Sequence, residues 1–374
     1  MSIMVDDRWV KLGFGQGFLK LMLDEGAEVV AEQELSAAPD GEIERSLDKP
    51  LGKRLEELAG CRSASILASD ITRPAPSHIL LPPLIRRLKE LGIMDIRVVF
   101  GLGTHRRMTE DEVRRLLQGC IKVPHMQHDT GRCVHLGETV RGTPVEINET
   151  VASSDLIIAT GNIEYHYYAG YSGGAKAVLP GVSSENSVIR NHELMRDPRS
   201  ATGRLDSPVR LDMEDAAAVA GLDFILNAVL NGRNEIVQAV AGDYIRAHRS
   251  GAATVDRMYR RRVEPADIVV TCAGGRPKDL NLFQAQKALD NAKNAALPGG
   301  SIILVAECCE GLGHPVFERW SREACSAEQC WERFGREYEF GGHKAAFLAR
   351  ESLEHHLILV SSLPNEMAEM CFFA

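Results

Sequence analysis

Short apolar runs alternate with amphipathic stretches along the first half of the chain, and this pattern predicts an α/β fold. The segment Ser77–Leu91 carries apolar residues on one face and stops at Gly92, so we predict a helix there. Thr109 and Glu112 have the spacing of a capping box and predict the start of another helix. Strands are predicted at Arg62–Ala68, Ile96–Gly101, Thr143–Ile147 and Leu156–Thr160.

A second series of elements begins near Asp256, after a charged stretch and a proline. The elements predicted there are the strand Ile268–Cys272, the helix Leu282–Ala296 and the strand His356–Ser362. We therefore expect two α/β domains with largely parallel sheets, a larger one at residues 1–255 and a smaller one at residues 256–374. Small-molecule sites often lie at domain interfaces, so we also expect an active-site cleft between the two.

The composition is that of an ordinary globular protein, with 44% hydrophobic and 25% charged residues. A net charge of -9 leaves no basic surface for a phosphate backbone, so nucleic acid is not an expected partner. No run approaches the roughly 18 apolar residues of a membrane span, and no signal peptide is evident, so we expect a cytoplasmic protein without a membrane partner. The nine cysteines include no C-x-x-C pair and are expected to be free thiols.

The segment from Tyr165 to His192 is the most informative part of the sequence, because it combines two histidines and Lys176 with glycine, serine and aromatic residues. It follows the apolar run that begins at Asp155, which is typical of a strand buried in a parallel sheet. Ligands of open α/β sheets bind at the carboxyl ends of such strands. Ala177 follows the lysine, so the P-loop signature for nucleoside triphosphates is absent. The Rossmann fingerprint is absent as well, since Gly13–Gly17 predicts only a strand or turn.

Polar residues also follow two other predicted strands. Asp70, Thr72 and Arg73 lie in the loop SDITRP, where an arginine suits a carboxylate or phosphate, although a helix cap and a surface arginine are equally ordinary explanations. His105 lies in the loop GLGTHR and is predicted to approach Asp70 and Arg73. A histidine there suits general acid–base chemistry, but an isolated loop histidine is often structural.

The remaining candidates are His192, Gln284 and Lys287. His192 follows the predicted helix SENSVIR and suits a metal ligand, a second base or a structural residue. A zinc site formed with His105 and His166 is conceivable, but no two of these histidines have short ligand spacing. Gln284 and Lys287 are three residues apart and share one face of a predicted helix, which suits either substrate binding or an ordinary solvated surface.

Taken in order, five motifs of this chain resemble those of the nickel-dependent lactate racemase family. They run from Asp70 to Lys287, which is more than half of the sequence. Five separate motifs in the same order are far more specific than any one of them. The motifs are D-x-T-R-P, G-x-G-T-H, H-x-x-x-G-x-S-G-G-x-K-x-x-x-P-G, N-H and Q-x-x-K.

The resemblance implies an isomerase, a racemase or epimerase of a 2-hydroxy acid. Its implied cofactor is a nickel-pincer nucleotide, a pyridinium-3,5-bisthiocarboxylic acid mononucleotide that other enzymes synthesise and that residues 1–255 would bind. The family pattern makes Lys176 the covalent attachment point, His192 a nickel ligand, and His105 and His166 the paired acid/base residues. It further assigns Asp70, Thr72, Arg73, Ser172, Gly173 and Gly174 to cofactor binding, and Arg73, Gln284 and Lys287 to substrate binding.

Two other functions remain open at this stage. A nicotinamide-dependent 2-hydroxy acid dehydrogenase would use similar side chains, but the missing dinucleotide fingerprint counts against it. A catalytically silent protein that binds a nucleotide or hydroxy acid would be expected to have lost one of the key residues, whereas His105, His166, Lys176 and His192 are all present. The sequence does not identify the 2-hydroxy acid, and it does not indicate the oligomeric state.

Overall fold

The computed structural model describes residues 5–6, 8–31, 33–118, 120 and 122–374. The chain forms two compact units, a large one of Gln33–Arg260 and a small one that combines Arg261–Ala374 with the described residues of Met1–Glu32. The sequence analysis assigned the N-terminal segment to the first domain, because nothing local in that segment shows which distant strands it packs against. All nine cysteines are free thiols. Within the described residues, no helix combines the length and the apolar character needed to cross a bilayer.

Strands and helices alternate through both units. The strands are Val5–Asp6 (β1), Trp9–Phe14 (β2), Gly17–Met22 (β3), Ser63–Ser69 (β4), Asp95–Gly101 (β5), His125–Gln127 (β6), Cys133–Glu138 (β7), Pro144–Asn148 (β8), Leu156–Asn162 (β9), Tyr165–His166 (β10), Gly170–Tyr171 (β11), Leu222–Leu230 (β12), Ile236–Gly242 (β13), Ala266–Cys272 (β14), Ala296–Val305 (β15) and His356–Val360 (β16). The α-helices are Glu42–Asp48 (α1), Ser77–Glu90 (α2), Glu110–Leu116 (α3), Glu149–Ala152 (α4), Glu185–Glu193 (α5), Pro208–Ala220 (α6), Arg246–Tyr259 (α7), Leu282–Ala292 (α8), Pro315–Glu323 (α9), Ala327–Arg336 (α10), Gly342–Glu354 (α11) and Asn365–Met370 (α12).

The large unit is built on a six-stranded sheet with the strand order β13-β12-β9-β4-β5-β6. Its neighbouring strands are parallel, except that β13 runs antiparallel to β12. All seven residues of β9 are buried, because a strand inside such a sheet is covered on both faces. The neighbours β9, β4 and β5 end side by side at Asn162, Ser69 and Gly101. The loops that follow these three strands therefore start from one edge of the sheet.

The main core lies between one face of this sheet and helices α1, α2 and α3. Alternate residues of β4 point into it, since successive side chains of a strand face opposite sides. On the opposite face, Gly251 of α7 approaches Val229 and Val240 of the antiparallel edge, and a side chain at position 251 would collide with Ile163. Buried side chains that α2 and β4 contribute to the main core are Leu80, Leu81, Leu84, Ile85, Leu88, Ala64, Ile66 and Ala68.

The small unit contains a three-stranded parallel sheet, β14-β15-β16, with helices α8 to α12. The hairpin formed by β2 and β3 belongs to this unit, because Val10 and Leu12 pack with Val305 in one apolar cluster. Its turn spans Gly15, whose φ of 56° is in the left-handed region. The strand or turn predicted at Gly13–Gly17 is therefore confirmed.

Both units have the mixed α/β fold and the largely parallel sheets predicted from the sequence. The helix predicted at Ser77–Leu91 is α2, and the capping box of Thr109 and Glu112 is formed at the start of α3. The helix predicted to reach Ala296 is wrong at its end. Helix α8 stops at Ala292, a short 3-10 turn follows, and β15 begins at Ala296.

A buried carboxylate ties three elements of the large unit together. Asp212 of α6 is fully buried, and its two oxygens accept hydrogen bonds from Thr139, Thr143 and Asn191 at 2.5, 2.8 and 2.9 Å. These donors lie in the turn between β7 and β8 and in helix α5. Asn191 immediately precedes His192, so this network also fixes the helix that carries the histidine.

We predict that Asp212→Ala lowers the free energy of unfolding by about 3 kcal/mol, because it leaves three buried donors without an acceptor. Asp215→Ala is the matched control on the same helix. Asp215 forms a partly exposed ion pair with Arg141 at 3.3 Å, so its loss should change stability by less than about 0.5 kcal/mol. Urea unfolding of both variants measures the difference. Equal effects would show that the Asp212 network contributes little.

Candidate active site

The candidate site is assembled from the loops that follow β4, β5 and β9. These loops carry Asp70, His105 and His166, one residue from each. The loop after β5 also packs against the segment after Lys176: the backbone N–H of Gly103 donates to the carbonyl of Gly181 at 2.9 Å. A side chain at Gly101 would come within 3.1 Å of the Gly181 backbone, so this close approach favours glycine.

Asp70 and His105 form a hydrogen-bonded pair, as the sequence predicted. Asp70 is 4% exposed, and its Oδ2 lies 2.7 Å from Nδ1 of His105, whose side chain is 43% exposed. The other oxygen, Oδ1, accepts from the N–H and the hydroxyl of Thr72 at 3.1 and 2.6 Å. Burial opposes the charge on Asp70, but the hydrogen bonds from His105 and Thr72 outweigh it and lower the pKa of this carboxyl. An ionised Asp70 therefore orients the imidazole.

Arg73 is half-buried and lies close to the acidic side chain of Glu164, with 4.0 Å between Nη1 and Oε1. This pair is loose, so the guanidinium is not committed to a bidentate partner within the described residues. Its charge also acts on Lys176 and Tyr168. Arg73 thus suits the recognition of a carboxylate or phosphate.

The segment between His166 and Lys176 is held by buried side chains of helices α6 and α7 and of the residue before α6. Ser207 donates to the carbonyl of Tyr168 at 2.6 Å, and His248 contacts the carbonyl of Ser172 at 2.8 Å. Arg210, fully buried, donates to the carbonyls of Ala169, Tyr171 and Gly173. Irregular backbone can be buried only when its polar groups are paired, and these three side chains provide that pairing.

The residues of SGGAK make mainly structural contacts within the chain. The hydroxyl of Ser172 donates to the carbonyl of Asn162 at 2.9 Å and accepts from the N–H of Glu164 at 3.0 Å. Gly173 and Gly174 have φ values of 73° and 59°, which favour glycine. The N–H of Gly174 donates to Asn227 at 2.8 Å, so this peptide is already paired.

Lys176 lies in the 3-10 turn Gly174–Ala177 and is half-buried. Burial lowers the pKa of its amine well below the ordinary value, and the charges of Arg73 and Arg210 lower it further. Glu164 and Asp70 act in the opposite direction but do not compensate. The Nζ atom lies 5.9 Å from the centre of the Tyr168 ring. A neutral amine is the nucleophilic form of lysine, so this position suits covalent attachment.

His166, Tyr168 and His192 form one aromatic group. The Tyr168 ring packs edge-on against both imidazoles, with centroid distances of 4.4 Å to His166 and 5.0 Å to His192. Its hydroxyl lies 2.7 Å from Nε2 of His192. Burial lowers the pKa of His192 to about 3, so this imidazole is neutral and has a lone pair for a metal. His192 lies inside helix α5, not after it, because the helix continues to Glu193.

The zinc hypothesis does not fit this geometry. Within the described residues, the ligand atoms of His105, His166 and His192 do not form a group in which all lie within 4.8 Å of one another. The one group that meets this limit is Glu351, Glu354 and His355 in the small unit, where Glu351 is already paired with Lys293 and Arg350.

Gln284 and Lys287 lie on α8 in the small unit, and both are exposed. Nζ of Lys287 donates to Oε1 of Gln284 at 2.8 Å, so the two side chains do share a face of the helix. Asn281 caps the start of this helix, and its side chain accepts from the N–H of Gln284.

The sequence analysis did not single out Arg210, His248 or the bond from Tyr168 to His192. Arg210 belongs to a helix start with a clear signal, a serine cap followed by proline. That signal predicts the helix but not that its third residue binds distant carbonyls, because these contacts depend on tertiary structure.

Comparison with known proteins gives a consistent result. The chain matches the family model of the lactate racemase N-terminal domain over residues 13–203 and that of the lactate racemase C-terminal domain over residues 262–372. It is 35% identical over 338 residues to the lactate racemase of Thermoanaerobacterium thermosaccharolyticum, covering 86% of this chain and 79% of that protein. It is 38% identical over 286 residues to the lactate racemase of Lactiplantibacillus plantarum, covering 74% of this chain and 68% of that protein.

Solved structures agree. The lactate racemase apoprotein from Thermoanaerobacterium thermosaccharolyticum matches with a TM-score of 0.92 at 30% identity, over 100% of this chain and 92% of that one. A protein from Thermotoga maritima matches with a TM-score of 0.68 at 20% identity, over 91% and 92% of the two chains, and supports the fold alone. The two family models cover both ends of the chain, and curated relatives are more than 30% identical over most of it. The chain therefore belongs to the lactate racemase family of isomerases.

Proposed function

We propose that this protein inverts the carbinol carbon of a 2-hydroxy acid, with lactate as the first substrate to test because both curated relatives are lactate racemases. The observation that carries the proposal is the grouping of His105, His166, Lys176 and His192 in one unit. The two candidate bases follow different strands of one sheet, and the same unit contains an amine and an imidazole whose pKa values are both lowered by burial.

The residues fit a nickel-pincer nucleotide. Lys176 would hold it covalently through its neutral amine, and the neutral imidazole of His192 offers a nitrogen ligand of the kind that nickel accepts. Arg73 with Thr72 and Asp70, and the glycines Gly173 and Gly174, are the proposed contacts of its remaining groups, with Ser172 fixing the backbone beside them. When bound, such a cofactor supplies an electrophilic carbon that can take and return a hydride, which no side chain can do.

The two histidines are oriented by different contacts. Nδ1 of His105 lies 2.7 Å from Oδ2 of Asp70, so its Nε2 is the atom proposed to exchange a proton with the substrate hydroxyl. Nδ1 of His166 accepts from the N–H of Ala169 at 3.4 Å, and this contact helps to orient the ring. Inversion in one direction requires one imidazole to take the hydroxyl proton and the other, in its protonated form, to return a proton; the roles are exchanged in the opposite direction.

The substrate carboxylate needs a fixed cation, since its orientation decides which face of the carbon is presented. Arg73 is the proposed partner in the large unit, because its pairing with Glu164 is loose. Gln284 and Lys287 are the proposed contacts from the small unit, where an amide and an ammonium group share one exposed helix face.

We predict that Lys176→Ala abolishes covalent cofactor retention, because it removes the amine whose pKa is lowered by burial and by the charges of Arg73 and Arg210. The measurement is intact and peptide mass, together with nickel content, on protein produced with the enzymes that build the cofactor. Lys49→Ala is the matched control, because Lys49 is an exposed lysine of the same unit. This variant should retain as much cofactor and nickel as the parent.

Added mass on Lys176 and nickel near one per chain would support the proposal. Unmodified Lys176 in the parent chain, with a family homologue loaded in the same cells, would contradict it and favour a silent binding protein.

We predict that His105→Ala and His166→Ala each keep the cofactor but lower kcat by about 100-fold or more, since each removes one acid/base group. The measurement is loss of optical purity from each pure enantiomer of a 2-hydroxy acid. His78→Ala, an exposed histidine of α2, should leave kcat unchanged. Racemisation at the parental rate by either active-site variant would refute the assignment of two bases.

A further inference from the structure

Tyr168 contacts three of the functional residues at once and has no assigned role. Its ring lies edge-on to His166 and His192, and its face is 5.9 Å from Nζ of Lys176. Its hydroxyl approaches Nε2 of His192 at 2.7 Å. The side chain is 6% exposed, and its backbone carbonyl is fixed by Ser207. Tyr168 is therefore held firmly against the proposed nickel ligand.

The contacts of the two groups indicate which one donates. Within the described residues, the hydroxyl of Tyr168 bonds to Nε2 of His192, and Nδ1 of His192 is buried without a hydrogen-bond partner. If His192 were the donor, the phenol hydrogen and the Nδ1 lone pair would both be buried without a partner there. If Tyr168 donates, only the single imidazole hydrogen, which is then on Nδ1, lacks a partner. The Nε2 lone pair therefore accepts the phenol hydrogen.

A nitrogen lone pair can serve one partner at a time. From this geometry we propose that Tyr168 is a positioning residue for His192. In the cofactor-free chain it holds the imidazole in the form whose Nε2 lone pair faces the site, and it must release that atom when His192 binds nickel. The inference rests on the proposed function, because it assumes that His192 takes the metal.

The arrangement has an energetic consequence. Breaking the hydrogen bond is a cost of metal binding, and the same bond preserves the correct imidazole form until the metal arrives. No covalent change and no added reagent are needed, since one hydrogen bond is exchanged for one metal–nitrogen bond.

The test uses Tyr168→Phe, which removes the hydroxyl and keeps the ring. Tyr171→Phe is the matched control, because Tyr171 is also a buried tyrosine of this segment but its hydroxyl bonds to Asp256 and to the carbonyl of Gly203. Both variants and the parent are produced with the cofactor-building enzymes. Loading is verified by mass at Lys176. Each loaded protein is then equilibrated with increasing concentrations of a nickel chelator.

We expect Tyr168→Phe to need about three- to tenfold more chelator for half loss of nickel than the parent, the size of one ordinary buried hydrogen bond. Tyr171→Phe should match the parent. In the cofactor-free proteins, the ¹⁵N resonance of Nε2 of His192 should change in Tyr168→Phe alone, which reports the hydrogen bond without any activity.

If Tyr168→Phe loses nickel at the same or a lower chelator concentration than the parent, the proposal that Tyr168 releases Nε2 of His192 on nickel binding is wrong. An unchanged Nε2 resonance would also contradict it. A parent chain that gains no mass at Lys176, beside a loaded homologue, would instead overturn the proposed function and the Tyr168 inference with it. The two failures are therefore distinguishable.

Discussion

The parallel pairing of β9 with β4, and of β4 with β5, is the constraint on which the candidate site depends. Parallel neighbours end at the same edge of a sheet, so the segments that carry residues 70, 105 and 166 start from one edge although almost a hundred positions separate the first residue from the last. A slip of one residue in this register would move every side chain of a strand to the opposite face of the sheet and disrupt the packing on both sides. The core thus holds the loops in register without taking part in the chemistry.

Neutrality is the second property that burial gives the site. Lysine and histidine lose their charge most readily where water is excluded and other cations are near. Arg210 is one of the cations near Lys176. It is buried and bonded to carbonyls instead of a carboxylate, and its positive charge acts on Lys176 together with that of Arg73. Burial lowers the pKa of Arg210 itself to about 10, so it still carries its charge near neutral pH. The guanidinium of Arg210 therefore fixes the backbone of this segment and also lowers the pKa of Lys176.

The sequence predicted the α/β fold, most strand positions and the pairing of Asp70 with His105, because each depends on local pattern or on the rule that loops meet at strand ends. It did not predict that the N-terminal hairpin packs with Val305, or that Arg210 reaches the carbonyls of residues 169 to 173. These contacts join positions that lie far apart or lack a local pattern. The end of α8 was misjudged because the alanines and the lysine at residues 292–296 favour a helix, whereas the strand begins before the Pro298–Gly300 run.

The two imidazoles of the proposed acid/base pair differ in how they are held, and this bears on the direction of reaction. His105 is oriented by the carboxylate of Asp70, while His166 is buried against tyrosine rings and a backbone N–H. Inversion in the two directions leaves the proton on different histidines. The chain must return a proton from one to the other before the next turnover, and solvent reaches the exposed His105 far more easily than the buried His166.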